Sequence, residues 1–270
     1  MLNPQPDDET LAKVYDESYF IGSDNLELFN QGNDLKRGTA HLQLDDIATY
    51  LGQTGKPNSH TKMLEIGCGL GNFLLSAQQR GYDVHGIDVS QSAVDQANKA
   101  LGENRAQAGF LENLNLTPGS YDIVVLADVI EHVRDPKAFL ELVRTLLRPG
   151  GILFVAVPSL DSLSARLMGR YWVEYKLEHL FYFNRKTLTQ LLGTNGFEKI
   201  KIRPGHKMLS LDYIVGHFVQ FPVPVLTTIM KLIKWIVPKR LCTQPIRIVA
   251  SGINAIARVP DQVMDKTHSD

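Results

Sequence analysis

Three glycines, Gly67, Gly69 and Gly71, stand at alternate positions between a short apolar run, Met63 to Ile66, and a segment with helical spacing, Asn72 to Arg80. Glycines at such a turn let backbone N–H groups and a helix N-terminus come close to a ligand, which points to a nucleoside-cofactor pocket. A dinucleotide fingerprint reads G-x-G-x-x-G. Here the third glycine comes one residue early and Asn72 holds its place, which disfavours a nicotinamide dinucleotide. A second apolar strand, Tyr82 to Ile87, ends in Asp88, where a first βα unit delivers an acid beside a bound ribose. One carboxylate there can accept from both hydroxyls, whereas the bland reading of Asp88 is an acid at a helix N-terminus before Ser90. Glu65 lies inside the first strand among apolar neighbours. A buried charge is costly unless paired, so Glu65 is expected to meet polar ligand or backbone groups.

A second set of candidates follows at Asp128, Glu131 and His132, which as i, i+3 and i+4 share a face if the segment is helical. The bland reading is a capping box, with Asp128 as N-cap and Glu131 three residues on. An unperturbed imidazole titrates near neutrality, so His132 can act as a general base on a substrate hydroxyl, or orient it. Tyr171, Trp172, Tyr175, His179, Phe181 and Tyr182 gather in one stretch, Ser159 to Phe183. An aromatic wall with one histidine suits a phenolic or isoprenoid-like acceptor, and packing against a sheet explains the aromatics equally well. His179 is the second candidate for a base or orienting group.

These residues need elements to hold them, and the chain supplies them in alternation. Strands are expected at about 62–66, 82–87, 106–109, 121–127 and 151–157, with helices at 72–80, 91–101 and 135–147 between them. A parallel sheet covered on both faces follows. Another helix, 185–194, starts after Asn184 as N-cap and stops at Asn195-Gly196, and a strand is expected at 197–202. Residues 1–40 are polar, with scattered Tyr15, Tyr19, Phe20 and Phe29 and no sustained period, and read as a cap or arm before a helix at 41–51.

Composition bounds the function classes. At 270 residues, 44% hydrophobic and 21% charged, the chain can bury a full core as one soluble domain with an appendage. A formal net charge of -1 gives no reason to expect nucleic acid. A small-molecule acceptor, uncharged or membrane-derived, fits better. Two cysteines make no disulfide framework, and Cys68 reads as a small packing residue in the glycine turn, so a reducing cytoplasm is the expected setting. Residues 1–10 carry Pro4, Pro6, Asp7, Asp8 and Glu9 instead of a basic start and an apolar run, so no secretion signal is expected.

Taken in order, Leu64 to Gly71, Asp88, Tyr121 to Val133 and Leu147-Arg148-Pro149-Gly150-Gly151 resemble motif I, the ribose acid, motif II and motif III of the class I S-adenosylmethionine-dependent methyltransferases. The similarity runs from about Lys62 to Phe197. Asp128-Val129-Ile130-Glu131-His132-Val133 is most similar to the group that includes the ubiquinone-biosynthesis O-methyltransferases. The resemblance implies an α/β, doubly wound, mostly parallel seven-stranded sheet with an antiparallel last strand, placed within 251–260 and centred on Asn254 to Val259. It makes 41–203 the S-adenosylmethionine-binding core with an acceptor-site insertion at 159–183, 204–250 a hydrophobic helical insertion, and 261–270 a tail.

The same resemblance assigns Glu65, Gly67, Cys68, Gly69 and Gly71 to the methionine and ribose part of the donor, Asp88 to the ribose hydroxyls and Val89 to the adenine face. Leu126 and Ala127 should offer backbone carbonyls near the donor's amino group. Relatives commonly carry Gly-Asp after the third strand, but this chain reads Gly109-Phe110, so adenine recognition rests on stacking by Phe110 and backbone atoms there, Leu111 included. The group's Glu-x-x-Glu-His raises a divalent-metal reading for Asp128, Glu131 and His132. The carboxylates suit Mg²⁺ and the imidazole Zn²⁺ or Fe²⁺, and no metal is assigned. The expected activity is methyl transfer to oxygen of a phenol, quinone precursor or sugar, with carbon or nitrogen acceptors, or a non-catalytic donor-binding assembly module, as alternatives.

Within the insertion, 225–237 is apolar between Pro224 and Pro238, with Lys231 and Lys234 inside it and Lys239 and Arg240 behind. It is too short for a bilayer, which needs about 20 apolar residues. Two readings stay open: a membrane-surface helix on the inner membrane face, or a gate for a lipid-like acceptor, and burial against the domain or a homodimer partner.

Overall fold

A computed structural model describes residues 4–7, 10, 26–53, 55 and 57–261. Alternation of side chains along the strands decides the architecture. Met63, Ile123, Val125, Ile152 and Phe154 point to one face, and Leu64, Val124, Leu126, Leu153 and Val155 to the other. Each set has its own helices. The first face is covered by α1 (Leu26–Leu51), α2 (Asn72–Arg80) and α3 (Gln91–Leu101); the second by α4 (Pro136–Leu146) and a later helix at Arg185–Thr194. A sheet buried on both sides by helices is the doubly wound arrangement the sequence predicts.

The strands are β1 (Lys62–Ile66), β2 (Asp83–Asp88), β3 (Ala106–Ala108), β4 (Tyr121–Ala127), β5 (Leu147–Pro158), β6 (Glu198–Leu209) and β7 (Ile246–Arg258), in one seven-stranded sheet of order β3-β2-β1-β4-β5-β7-β6. β1 to β5 pair in parallel, and β7 runs antiparallel between β5 and β6. Pairing levels the strand ends. Ile66 stands opposite Ile87 and Leu126, and Asp88 opposite Ala108, so Gly67, Val89, Gly109 and Asp128 follow along one carboxyl edge. Ligands bind at such an edge in open α/β sheets.

Three local expectations change. α1 starts at Leu26, because contacts distant in sequence replace the missing apolar period: Leu35 and Ala40 are buried, Asn72 Nδ2 donates to Asn33 Oδ1 at 2.9 Å, and Met208 N to Thr39 Oγ1 at 2.9 Å. Residues 1–25 of the expected cap, Tyr15, Tyr19 and Phe20 among them, lie outside the described residues apart from 4–7 and 10, as does the tail beyond 261.

β6 runs past Ile202 to Leu209 and β7 begins at Ile246, so the inserted helices are α7 (Leu211–Gln220), α8 (Leu226–Ile236) and α9 (Lys239–Cys242), after α5 (Leu163–Met168) and α6 (Arg185–Thr194). Strand β6 continues past Ile202 through a bulge between Pro204 and His206. Finally, the segment after β4 is not an α-helix. Asp128 sits at φ 55°, and one short 3₁₀ turn covers Ile130–His132, so Asp128 and Glu131 form no capping box.

Candidate functional site

The glycine turn follows β1 and is tied down by Gly67 N and Cys68 N, which both donate to Ile87 O at 2.7 and 3.0 Å, and by Gly71 N, which donates to Cys68 O at 2.9 Å. Gly67, Gly69 and Gly71 all hold positive φ, a region that L side chains rarely adopt. Their surroundings differ. A Cβ on Gly67 would meet Val129 Cγ2 at 2.5 Å and one on Gly71 would meet Ala97 Cβ at 2.9 Å, whereas one on Gly69 would meet nothing within 4 Å. Gly69 therefore faces open space, and the loop after β4 packs directly on Gly67.

Asp88, buried at the end of β2, accepts from Gly69 N through Oδ2 at 2.8 Å and from Ser90 N through Oδ1 at 3.0 Å. Burial raises its pKa, with the amides of Ser90, Gly69 and Val89 opposing. The carboxylate is locked to the turn and keeps lone pairs for two further donors. Ser90 caps α3 with its own hydroxyl, so Asp88 is not that helix's cap. On either side Val89 and Phe110 are apolar yet more than half exposed, and Leu111 is buried in a 3₁₀ turn.

Glu65 is buried in β1, and its Oε2 has no hydrogen-bond partner among the described residues. Burial first, then the Asp88 carboxylate, pushes its pKa well above the usual range, opposed by the Leu74 amide. The Cys68 thiol is driven above its ordinary range by burial and by the same two acids, and it packs against Gly86. Cys68 thus supports the turn from behind, with its amide already engaged.

The second cluster assembles from two segments distant in sequence. His132 Nδ1 is 3.0 Å from Glu178 O, and His179 Nδ1 is 2.8 Å from Glu174 O, contacts in which each ring donates Nδ1–H and carries its lone pair on Nε2. The rings meet edge to face at 4.8 Å between centroids. Burial, then the neighbouring imidazole, lowers His132 to about 4; burial, then Lys176, lowers His179. Both shifts favour the neutral imidazole.

Glu131 is 1% exposed, and neither carboxylate oxygen has a hydrogen-bond partner among the described residues. Burial, then Asp128, raises its pKa well above the usual range. Ligand atoms of Glu131, His132 and His179 lie within 4.8 Å of one another. Asp128 turns elsewhere, toward Lys207 Nζ at 3.5 Å. Lys207 was not a candidate from sequence, because it lies in the stretch read as an insertion.

Aromatic side chains of 159–183 surround the pair. Tyr182 is 6.2 Å from His179 and 5.3 Å from Tyr175, centroid to centroid, and its hydroxyl donates to Lys176 O at 3.1 Å. Trp172, buried, donates from Nε1 to Ser164 Oγ at 3.2 Å and packs with Met168 and Val223. Tyr171 is exposed, and Phe181 stacks on Phe183 instead of entering the cluster.

The family described as methyltransferase domain matches residues 37–202, more than half of the chain. A ubiquinone biosynthesis O-methyltransferase of Cupriavidus pinatubonensis (strain JMP 134 / LMG 1197) is 34% identical over 144 residues, which cover 52% of this chain and 55% of that protein. The chain thus spans about half the length of the curated relatives it matches. Among solved structures, a Thermotoga maritima SAM-dependent methyltransferase, titled a possible histamine N-methyltransferase, superposes with TM-score 0.56 at 17% identity, covering 93% of this chain and 97% of that one. Phosphoethanolamine N-methyltransferase 2 of Haemonchus contortus, in complex with S-adenosyl-L-methionine, gives TM-score 0.53 at 17% identity, with 82% and 53% covered. At these identities the two structures speak for the fold.

Proposed function

This chain belongs to the methyltransferase-domain family, and from that premise we propose that it moves the sulfonium methyl group of S-adenosylmethionine to an oxygen of a small-molecule acceptor. Asp88 carries the reading: a buried carboxylate, held by two backbone amides at the carboxyl edge of the sheet, between exposed Val89 and Phe110 and beside a glycine with open space. Such a row suits a ribose with an adenine flanked by apolar surface. The orphaned Oε2 of Glu65 can accept from the same donor, and the carbonyl of Ala127 from its amino group. The choice of oxygen leans on the relatives named ubiquinone biosynthesis O-methyltransferase.

Methyl transfer asks mainly for alignment and exclusion of water, which together supply about 7–11 kcal/mol of a barrier. His132 and His179 suit that task as fixed, neutral acceptors for the proton of an attacking hydroxyl. As oxygen gains the methyl group, the sulfonium becomes a neutral thioether and the hydroxyl proton passes to an imidazole or to solvent. With a pKa lowered to about 4, His132 orients the hydroxyl more than it ionises it. Glu131, His132 and His179 would also hold a divalent cation, a fit that rests on the two unpartnered Glu131 oxygens. Such an ion would supply acidification of a bound hydroxyl.

Calorimetric titration with S-adenosylmethionine and S-adenosylhomocysteine tests the reading. Asp88→Ala should weaken binding roughly 10- to 100-fold, the range for hydrogen bonds to a charged group. Absence of binding by the intact chain overturns the donor assignment. Transfer of labelled methyl to phenols, quinone precursors and sugars, but not to amines, is the expected acceptor profile.

A further inference from the structure

Helix α8 is unpartnered over most of its surface: it packs on α7, and not one of its residues is buried. Ile229, Leu232, Ile233 and Ile236, at i, i+3, i+4 and i+7, form one exposed apolar stripe, with Trp235 beside it 82% exposed. No described helix is long and apolar enough to cross a membrane. Apolar surface on this scale marks an interaction site, and its charge tells which. Between Leu211 and Ala250 the chain carries five cations, Lys231, Lys234, Lys239, Arg240 and Arg247, against one acid, Asp212, although its overall charge is -1. Asp212 is taken by Lys234 at 2.8 Å, and no described carboxylate lies within ion-pair reach of the other four cations.

We propose that the apolar stripe of α8, followed directly by Lys239 and Arg240 of α9, docks this protein on the surface of an anionic lipid bilayer. Lys239 and Arg240 at the end of an apolar helix, in a segment with a clear excess of cations, complement phosphate headgroups above an acyl layer, and the long stems of lysine and arginine let their charges reach the headgroups while the stripe sinks. A second copy of the chain offers the same cations instead of their complement, so a two-fold contact through α8 sets like charges face to face. Docking leads toward the histidine pair. Leu226 of α8 and Phe218 of α7 pack on the small core of Met168, Trp172 and Val223, and Trp172 contacts Tyr182, which contacts His179. The docking surface stands independently of the methyl-transfer reading.

The two tryptophans make the test direct. Trp172 is 2% exposed and Trp235 82% exposed, so a blue shift of emission on adding vesicles reports α8. The full chain is mixed with vesicles of phosphatidylcholine alone and of phosphatidylcholine with phosphatidylglycerol. The expected result is co-sedimentation and a blue shift with the anionic vesicles only. Lys239→Gln combined with Arg240→Gln should weaken partition roughly thirtyfold, since each cation near such a surface contributes about 1 kcal/mol. Leu232→Asn combined with Ile236→Asn should abolish the shift. Both residues are exposed, so the melting temperature and donor binding of this variant should stay those of the parent. Failure to sediment with either vesicle, equal partition to both, or a dimer in solution whose Trp235 emission is already blue without lipid overturns the proposal.

Discussion

At Gly67 the backbone holds φ 76°, and a Cβ there would lie 2.5 Å from Val129 Cγ2, so torsion and the loop after β4 both forbid a side chain. At Gly69 the torsion is also left-handed, but a Cβ would meet nothing within 4 Å. The two positions therefore separate structure from ligand. Gly67→Ala should lower the melting temperature through about 1–2 kcal/mol of torsional cost and the added clash with Val129, and should weaken donor binding. If the donor lies at Gly69 as proposed, Gly69→Ala should lower calorimetric donor affinity more than thermal stability, because the new methyl group enters the open space beside Asp88. Equal losses of stability and affinity at the two sites would remove Gly69 from the pocket. The spacing of these glycines is visible in the sequence. Their individual reasons are not, since Val129 and Gly67 meet only through the fold. Asp88 was legible for the same local cause, an acid ending a strand, whereas the partnership of Glu131 with His179 joins residues that no periodicity connects.

Among the elements, the segment between β5 and α6 holds His179 in place by a chain of ring contacts anchored on Trp172. Truncating a buried tryptophan costs about 3–5 kcal/mol through lost burial and a residual cavity. Trp172→Ala should therefore loosen Tyr175, Tyr182 and His179, lowering kcat for methyl transfer while the donor titration keeps its parental affinity. A fall in donor affinity as large as the fall in turnover would show that this segment supports the sheet edge as well. The central strands and their helices were legible because each strand is a run of apolar residues bounded by turn chemistry and each helix carries a 3.6-residue stripe. β6 and β7 were harder. The first of them was expected to end at Ile202, whereas it runs on through a bulge at which Gly205 faces Gly252 so closely that a Cβ on Gly205 would lie 3.1 Å from the Gly252 backbone. The turn after β4 escaped for a related reason: an i, i+3, i+4 set suggests a helix, but Asp128 at positive φ breaks it.

For the molecule as a whole, averaged quantities conceal opposed local ones. A net charge of -1 hides the basic segment that runs from α8 into β7, and an ordinary composition hides four ionisable groups of the site whose shifts all favour the neutral form, Glu65, Glu131, His132 and His179. These four contribute to the pH dependence of stability with two opposite signs. The histidines have folded pKa values below the ordinary 6.5, so the unfolded chain binds protons first, and stability falls as pH drops from 6.5 toward the value of about 4 for His132. The carboxyls have folded pKa values above the ordinary 4.5, so the unfolded chain releases protons first. Their contribution is fully present below 4.5 and is lost as pH rises through the folded values. Glu65→Gln isolates one of these contributions. The amide matches a protonated carboxyl in shape, so near pH 4.5 the variant and parent should melt alike. With rising pH the parent must either keep Glu65 protonated against solvent or ionise it in the core, and the variant should become the more stable without donor, by about 1–3 kcal/mol, the cost of a buried unsatisfied group. Melting curves across the range decide it. A gap between variant and parent that does not widen with pH would mean that Glu65 is ionised in the folded protein throughout, with a partner for its orphaned oxygen even when no donor is bound.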